Sequence, residues 1–127
     1  MNIATYATGL QHIGIPTTDL EGSERFYTDL GFRVIHRAAN GDERVIFLEL
    51  AGLVVEIWTG APTGRSGAID HFALDVTDID AVFQTVTAAG AAAIEGEVRQ
   101  LPFWERGVRY FTILGPNAEK IEFIQKL

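Results

Sequence analysis

At 127 residues the chain has room for one compact domain, and 47% hydrophobic against 21% charged residues, with no Ser, Gln or Pro tract, excludes the disordered and fibrous classes. No stretch approaches the roughly 18 to 20 apolar residues of a membrane helix, and Met1 to Leu10 lacks the basic start and apolar run of a signal peptide, so a cytoplasmic protein without a membrane partner is expected. Cysteine is absent, which leaves any metal to nitrogen and oxygen donors, and 10 Lys plus Arg against 17 Asp plus Glu give a net charge of -7 that argues against a nucleic-acid partner.

In chain order, Gly9 to Ile15 alternates as a strand, Asp19 is a good helix N-cap, and Gly31 sits where a left-handed C-cap would end that helix. Strands follow at Phe32 to Ala39, Arg44 to Leu50 and Leu53 to Thr59, the last two joined by a tight turn at Ala51-Gly52. The pattern then begins again. Ile69 to Val76 reads as a strand, and Asp78 caps a helix whose Ile79, Val82, Phe83 and Val86 share one face before Gly90. Strands at Ala91 to Glu97, Val108 to Leu114 and Glu119 to Gln125 complete it, with Gly115 to Ala118 as the last turn.

The repetition is also literal. Gly9 to Ile35 overlays Ala68 to Ile94 at a constant shift of 59, matching His12 with His71, Thr18 with Thr77, Asp19 with Asp78 and Gly31 with Gly90. Arg44 to Trp58 resembles Arg109 to Ile124 with a one-residue longer turn, which pairs Glu56 with Glu122. The chain reads as two tandem βαβββ modules of an α+β fold, the first at about 8–60 and the second at about 67–127, within one domain.

His12, Glu56, His71 and Glu122 each lie within an otherwise apolar strand, where an unpaired charge costs several kcal/mol. The turn at Ala51-Gly52 would place Phe47 opposite Glu56. A four-residue turn at Gly115 to Ala118 would place Phe111 opposite Glu122, with Arg109 as a diagonal neighbour. A lone strand His is ordinarily a hydrogen-bonded core residue, and a lone strand Glu ordinarily faces solvent or an Arg; here both occupy equivalent places in two repeats. Copies facing one another across a pseudo-two-fold axis would gather a four-ligand site suited to Ni(II), Zn(II), Co(II), Mn(II) or Fe(II), with two octahedral positions open to substrate. His36, whose repeat position holds Glu95, reads as a surface residue.

The segments LQHIGIPTTDLEGSERFYTDLGF, VVEIW, IDHFALDVTDIDAVF and FTILGPNAEKIEFIQ resemble the vicinal oxygen chelate superfamily of glyoxalases, bleomycin-resistance proteins and dioxygenases. Their order His, Glu, His, Glu is similar to glyoxalase I. The resemblance implies two curved four-stranded sheets, together an eight-stranded mixed sheet around a metal-bearing cleft, and a homodimer. It implies a metal-dependent lyase or isomerase, with Ni2+ or Zn2+ ahead of Co2+, Mn2+ or Fe2+, that moves a proton through a metal-bound enediolate of a small substrate with two neighbouring oxygens. Glu122 would be the base, with Glu56 nearly equivalent by pseudo-symmetry.

Phe47, Trp58, Arg109 and Phe111 would line the cleft, with Phe103 and Trp104 as a wall or lid, and Arg65, Arg99, Arg106 or Arg109 would hold a carboxylate. Glutathione-dependent relatives carry an Arg four residues after the first His and an Asn four after the first Glu. Pro16 and Gly60 stand there instead, which points to another thiol or another small oxygenated molecule. The alternatives are a non-catalytic protein that binds a small aromatic molecule, an epimerase, and an extradiol dioxygenase; the last two resemble sites with Gln or no ligand where Glu56 stands.

Overall fold

The strand, helix and three-strand pattern forms twice in a computed structural model that describes residues 2, 4–6, 12–67, 71–102 and 105–127. The first unit, Met1–Gly60, contains β1 (Ile13–Thr17), α1 (Leu20–Asp29), β2 (Arg33–Asn40), β3 (Glu43–Leu50) and β4 (Leu53–Thr59). The second, Ala61–Leu127, contains β5 (His71–Asp75), α2 (Ile79–Ala88), β6 (Arg99–Leu101), β7 (Val108–Leu114) and β8 (Lys120–Lys126). Among the described residues eight strands form two sheets of four, ordered β1-β4-β3-β2 and β5-β8-β7-β6. In each, the first strand pairs in parallel with the last and the other pairs are antiparallel. Among the described residues no helix is long and apolar enough to cross a membrane.

In the first unit, strand alternation sends Ile15, Ile46, Leu48, Val55 and Ile57 to one face, where they are buried with Leu20 and Tyr27 of α1 and with Phe32. Each such side chain contributes about 1.5–3 kcal/mol by leaving water. The helix starts at Asp19, whose Oδ1 accepts from Gly22 N at 2.9 Å. It stops at Gly31, whose φ of 105° lets Phe32 N donate back to Tyr27 O at 3.0 Å. Ala51 and Gly52 both have positive φ, 52° and 85°, as a two-residue hairpin turn requires. That turn sets Leu50 against Leu53 and therefore Phe47 against Glu56, as expected.

The second unit repeats this construction. Asp78 Oδ1 accepts from Ala81 N at 3.0 Å, and Gln125 Oε1 accepts from Ile79 N at 2.9 Å. The buried face comprises Leu74, Phe111, Ile113, Ile121 and Phe123 with Ile79 and Val86 of α2. An ion pair recurs too: Arg44 of β3 bonds to Glu21, and Arg109 of β7 bonds to Asp80, the acids standing 59 residues apart in the first turns of the two helices.

Two sequence expectations are corrected here. Ala91 to Glu97 is not a strand: the segment runs through turns, Gly96 has φ 79°, and pairing begins only at Arg99. Three consecutive alanines bring little strand propensity and the glycine bends the chain away. The last hairpin is connected by residues 115–119, five rather than four, so that Leu114 faces Lys120. That single residue shifts the register by one, and a one-residue slip sends every side chain to the other face.

Candidate metal-binding residues

In the first unit, the parallel register places Gly14 beside Glu56. His12, two residues before Gly14, therefore belongs to the same sheet face as Glu56, the face turned away from α1. Its Nε2 lies 3.8 Å from Glu56 Oε2, and the two side chains are 35% and 26% exposed. Gly14 makes room for the Trp58 indole on this face, since a Cβ there would stand 3.0 Å from Trp58 Cζ3, while Glu56 Oε1 at 3.8 Å would be in ordinary contact. Phe47, directly opposite Glu56, meets the His12 ring edge-on with centroids 5.7 Å apart.

The second unit builds the same pair by the same means. Ala73, another small residue, lies beside Glu122, and His71 precedes it by two. His71 Nε2 approaches Glu122 Oε2 to 2.9 Å. The Glu122 side chain is only 14% exposed. Burial pushes its carboxyl above the ordinary value of 4.5, the His71 imidazole pulls it down, and the Glu95 carboxylate pushes it up.

The register corrects two proposed site residues. Thr112, not Phe111, is opposite Glu122, while Phe111 pairs with Phe123 on the helix side of the sheet. There it is fully buried, stacked on Phe123 at 5.0 Å and edge-on to Phe83 at 5.1 Å. Arg109 pairs with Gln125 on that side too, and its guanidinium binds both Asp80 oxygens at 2.7 and 2.8 Å. It is a clasp between β7 and α2 and no diagonal neighbour of Glu122. Phe47 and Trp58 are on the Glu56 face, as expected. Arg65 and Arg106 are exposed, and Arg99 bonds to Glu95 O at 3.2 Å; Phe103 and Trp104 lie outside the described residues.

Three residues beside the two pairs were not marked by the sequence pattern. A bulge between Val34 and His36 turns His36 onto the Phe47 face, with ring centroids 6.0 Å apart, although the ring is exposed as anticipated. The small residues beside each Glu, Gly14 and Ala73, are themselves related by the shift of 59, a signal present in the repeat alignment.

The donor chemistry fits a divalent cation. Two donors held at about 2.1 Å and at right angles around one ion lie about 3.0 Å apart, and opposite ones about 4.2 Å. The His71–Glu122 spacing of 2.9 Å matches adjacent positions; the His12–Glu56 spacing of 3.8 Å falls between the two limits. Within either unit, no group of three or more His, Asp or Glu gathers among the described residues, so each unit by itself offers a pair.

A family model for the glyoxalase, bleomycin resistance protein and dioxygenase superfamily matches residues 9–123. YwbC of Bacillus subtilis, itself uncharacterized, is 32% identical over 128 residues, covering 94% of this chain and 99% of its own. A glyoxalase family protein from Enterococcus faecalis superposes with a TM-score of 0.75 at 18% identity over 91% of this chain and 96% of its own. The fosfomycin resistance protein FosX of Listeria monocytogenes gives 0.73 at 18% identity over 95% and 94%. With two βαβββ units, a repeated His–Glu pair and a family match over nearly its whole length, the chain belongs to the vicinal oxygen chelate superfamily.

Proposed function

We propose that this protein is a metal-dependent lyase or isomerase in which His12, Glu56, His71 and Glu122 together hold one divalent cation and Glu122 moves a proton on a small substrate bearing two neighbouring oxygens. The observation that carries this reading is the duplication: each unit sets a His and a Glu on one sheet face beside a small residue, at equivalent repeat positions. FosX, which shares the fold, was crystallised with Mn(II) and sulfate. The cation would supply Lewis acidity to both substrate oxygens and so acidify the adjoining C–H.

The rest is done by the chain itself. We take Glu122 as the base because its side chain is the more enclosed of the two carboxylates, 14% exposed against 26% for Glu56, and burial raises its affinity for a proton. It takes the proton from one carbon and returns it to the neighbour. Glu56 stands on the sheet face that also carries Phe47 and Trp58. A Cβ at Gly60 would stand 3.0 Å from Trp58 Nε1 and 3.3 Å from Pro16 Cβ, so this corner is filled by the indole and supports a substrate other than a glutathione adduct.

Elemental analysis of the dialysed protein tests the reading. About one equivalent of divalent metal in wild type, lost in His71→Ala and Glu122→Gln, is expected, followed by metal-dependent exchange or isomerisation in a deuterium-labelled substrate panel. No metal after loading would sink it. The pairs are to meet either within one chain or between two copies of a homodimer; mixing His12→Ala with His71→Ala restores metal binding only in the second case. A non-catalytic binding protein is the second reading, favoured by the Trp58 indole and Phe47 ring on the Glu56 face; ligand binding indifferent to chelator would establish it.

A further inference from the structure

Glu95 has no part in the chemistry above, yet it sits at a telling place in the second unit. The β6–β7 register, with Arg99 against Tyr110 and Leu101 against Val108, would bring residue 97 opposite Thr112 if the strand continued. It does not continue, because the chain bends at Gly96. Instead Ile94 N donates to Thr112 O at 2.7 Å, and Glu95 Oε2 accepts from Thr112 N at 2.8 Å. A side-chain carboxylate thus closes the ladder where a main-chain carbonyl ordinarily would.

Thr112 is in turn the register partner of Glu122. A neutral acceptor would also satisfy the Thr112 N–H, so the sheet edge alone does not call for a charge. A carboxylate is nonetheless there, accepting from the Thr112 amide, and Thr112 stands directly across from Glu122 on the neighbouring strand. Like charges gathered beside an imidazole are relieved by a cation.

From this juxtaposition, and resting on the metal reading above, we infer that Glu95 is a positioning residue for the His71–Glu122 pair: it pins β7 at Thr112 and adds a negative charge that tightens the grip on a divalent cation without ligating it. Outer partners of metal ligands typically change affinity by 10- to 100-fold.

The test is calorimetric titration of Ni2+ into metal-free wild type, Glu95→Gln and Glu95→Asp, with the melting temperature of each metal-free protein as a check on folding. Gln keeps an oxygen acceptor for Thr112 N–H and removes only the charge. Roughly tenfold weaker binding in Glu95→Gln, at an unchanged metal-free melting temperature, with recovery in Glu95→Asp, is the expected result. Wild-type affinity in Glu95→Gln would reduce Glu95 to an edge cap and overturn the inference while leaving the metal site standing. Absence of Ni2+ binding in wild type would remove both.

Discussion

Replacing Phe111 by Ala separates a core residue from a site residue. The ring is fully buried, stacked on Phe123 and edge-on to Phe83. Truncating such a ring costs about 3–5 kcal/mol through lost transfer energy and the cavity left behind, and the two aromatic pairs place this site in the upper half of that range. Unfolding entropy of about 2.1 cal/mol/K per residue gives about 0.27 kcal/mol/K for 127 residues. A loss of about 4 kcal/mol therefore lowers the melting temperature by about 15 °C. Phe47, half-buried on the Glu56 face, is the control: Phe47→Ala should cost about 1–2 kcal/mol, or about 4–7 °C. Circular-dichroism melts of both variants, paired with Ni2+ titrations, make the comparison. A Phe111→Ala protein that melts within about 4 °C of wild type but binds metal or ligand poorly would refute the register on which this assignment rests.

Ala51 adopts a left-handed φ of 52° at the hairpin turn, which disfavours a residue with an unassisted Cβ, so Ala51→Asn should raise the melting temperature by a few degrees, about 0.5–1 kcal/mol; an unchanged or lower value would contradict the turn geometry. Gly14→Ala places a methyl 3.0 Å from the Trp58 ring, so in a Trp104→Phe background the fluorescence maximum should shift; an unmoved spectrum would show that the ring lies elsewhere. Glu21, Glu24 and Asp80 are held below their ordinary values of 4.5, 4.5 and 3.8, first by hydrogen bonds from Arg44, Arg37 and Arg109. Folded-state values below the unfolded ones mean stability that is present above about pH 4.5 and lost as pH falls through the depressed values. Arg37→Gln with Arg109→Gln should accordingly flatten the decline of the urea midpoint between about pH 5 and pH 3, and curves parallel to wild type would count against these clasps.

How far the sequence carries depends on how local each decision is. The helix ends were legible because an Asp side chain bonds to an amide three residues on, and a left-handed glycine closes the chain on its own last turn. The register of Phe47 against Glu56 was legible for the same reason, since a two-residue turn permits one pairing only. The pairing of His12 with Glu56 and of His71 with Glu122 could be suspected from the repeat alone. That each pair shares a face follows from parallel contacts between strands about 40 and 50 residues apart in the chain, which no local pattern specifies.

Where the sequence misled, two arrangements of nearly equal local quality competed and a distant strand chose between them. Gly115 to Glu119 can be closed with four or five residues, and the apolar fit of Phe111 against Phe83 and Phe123 selected five, carrying Arg109 to Asp80 with it. Ile94 and Glu95 left a strand-like run because the Thr112 amide and carbonyl offered partners at the edge of β7. His36 reached the Phe47 face through a bulge, whose one extra residue inverts the alternation of β2 beyond Val34. Helix caps and the two-residue turn at Ala51-Gly52 were thus determined by residues close in the chain, and the duplicated His and Glu positions by the repeat, whereas the face each side chain occupies was decided by cross-strand packing, because in a pleated sheet one residue of register inverts every position that follows.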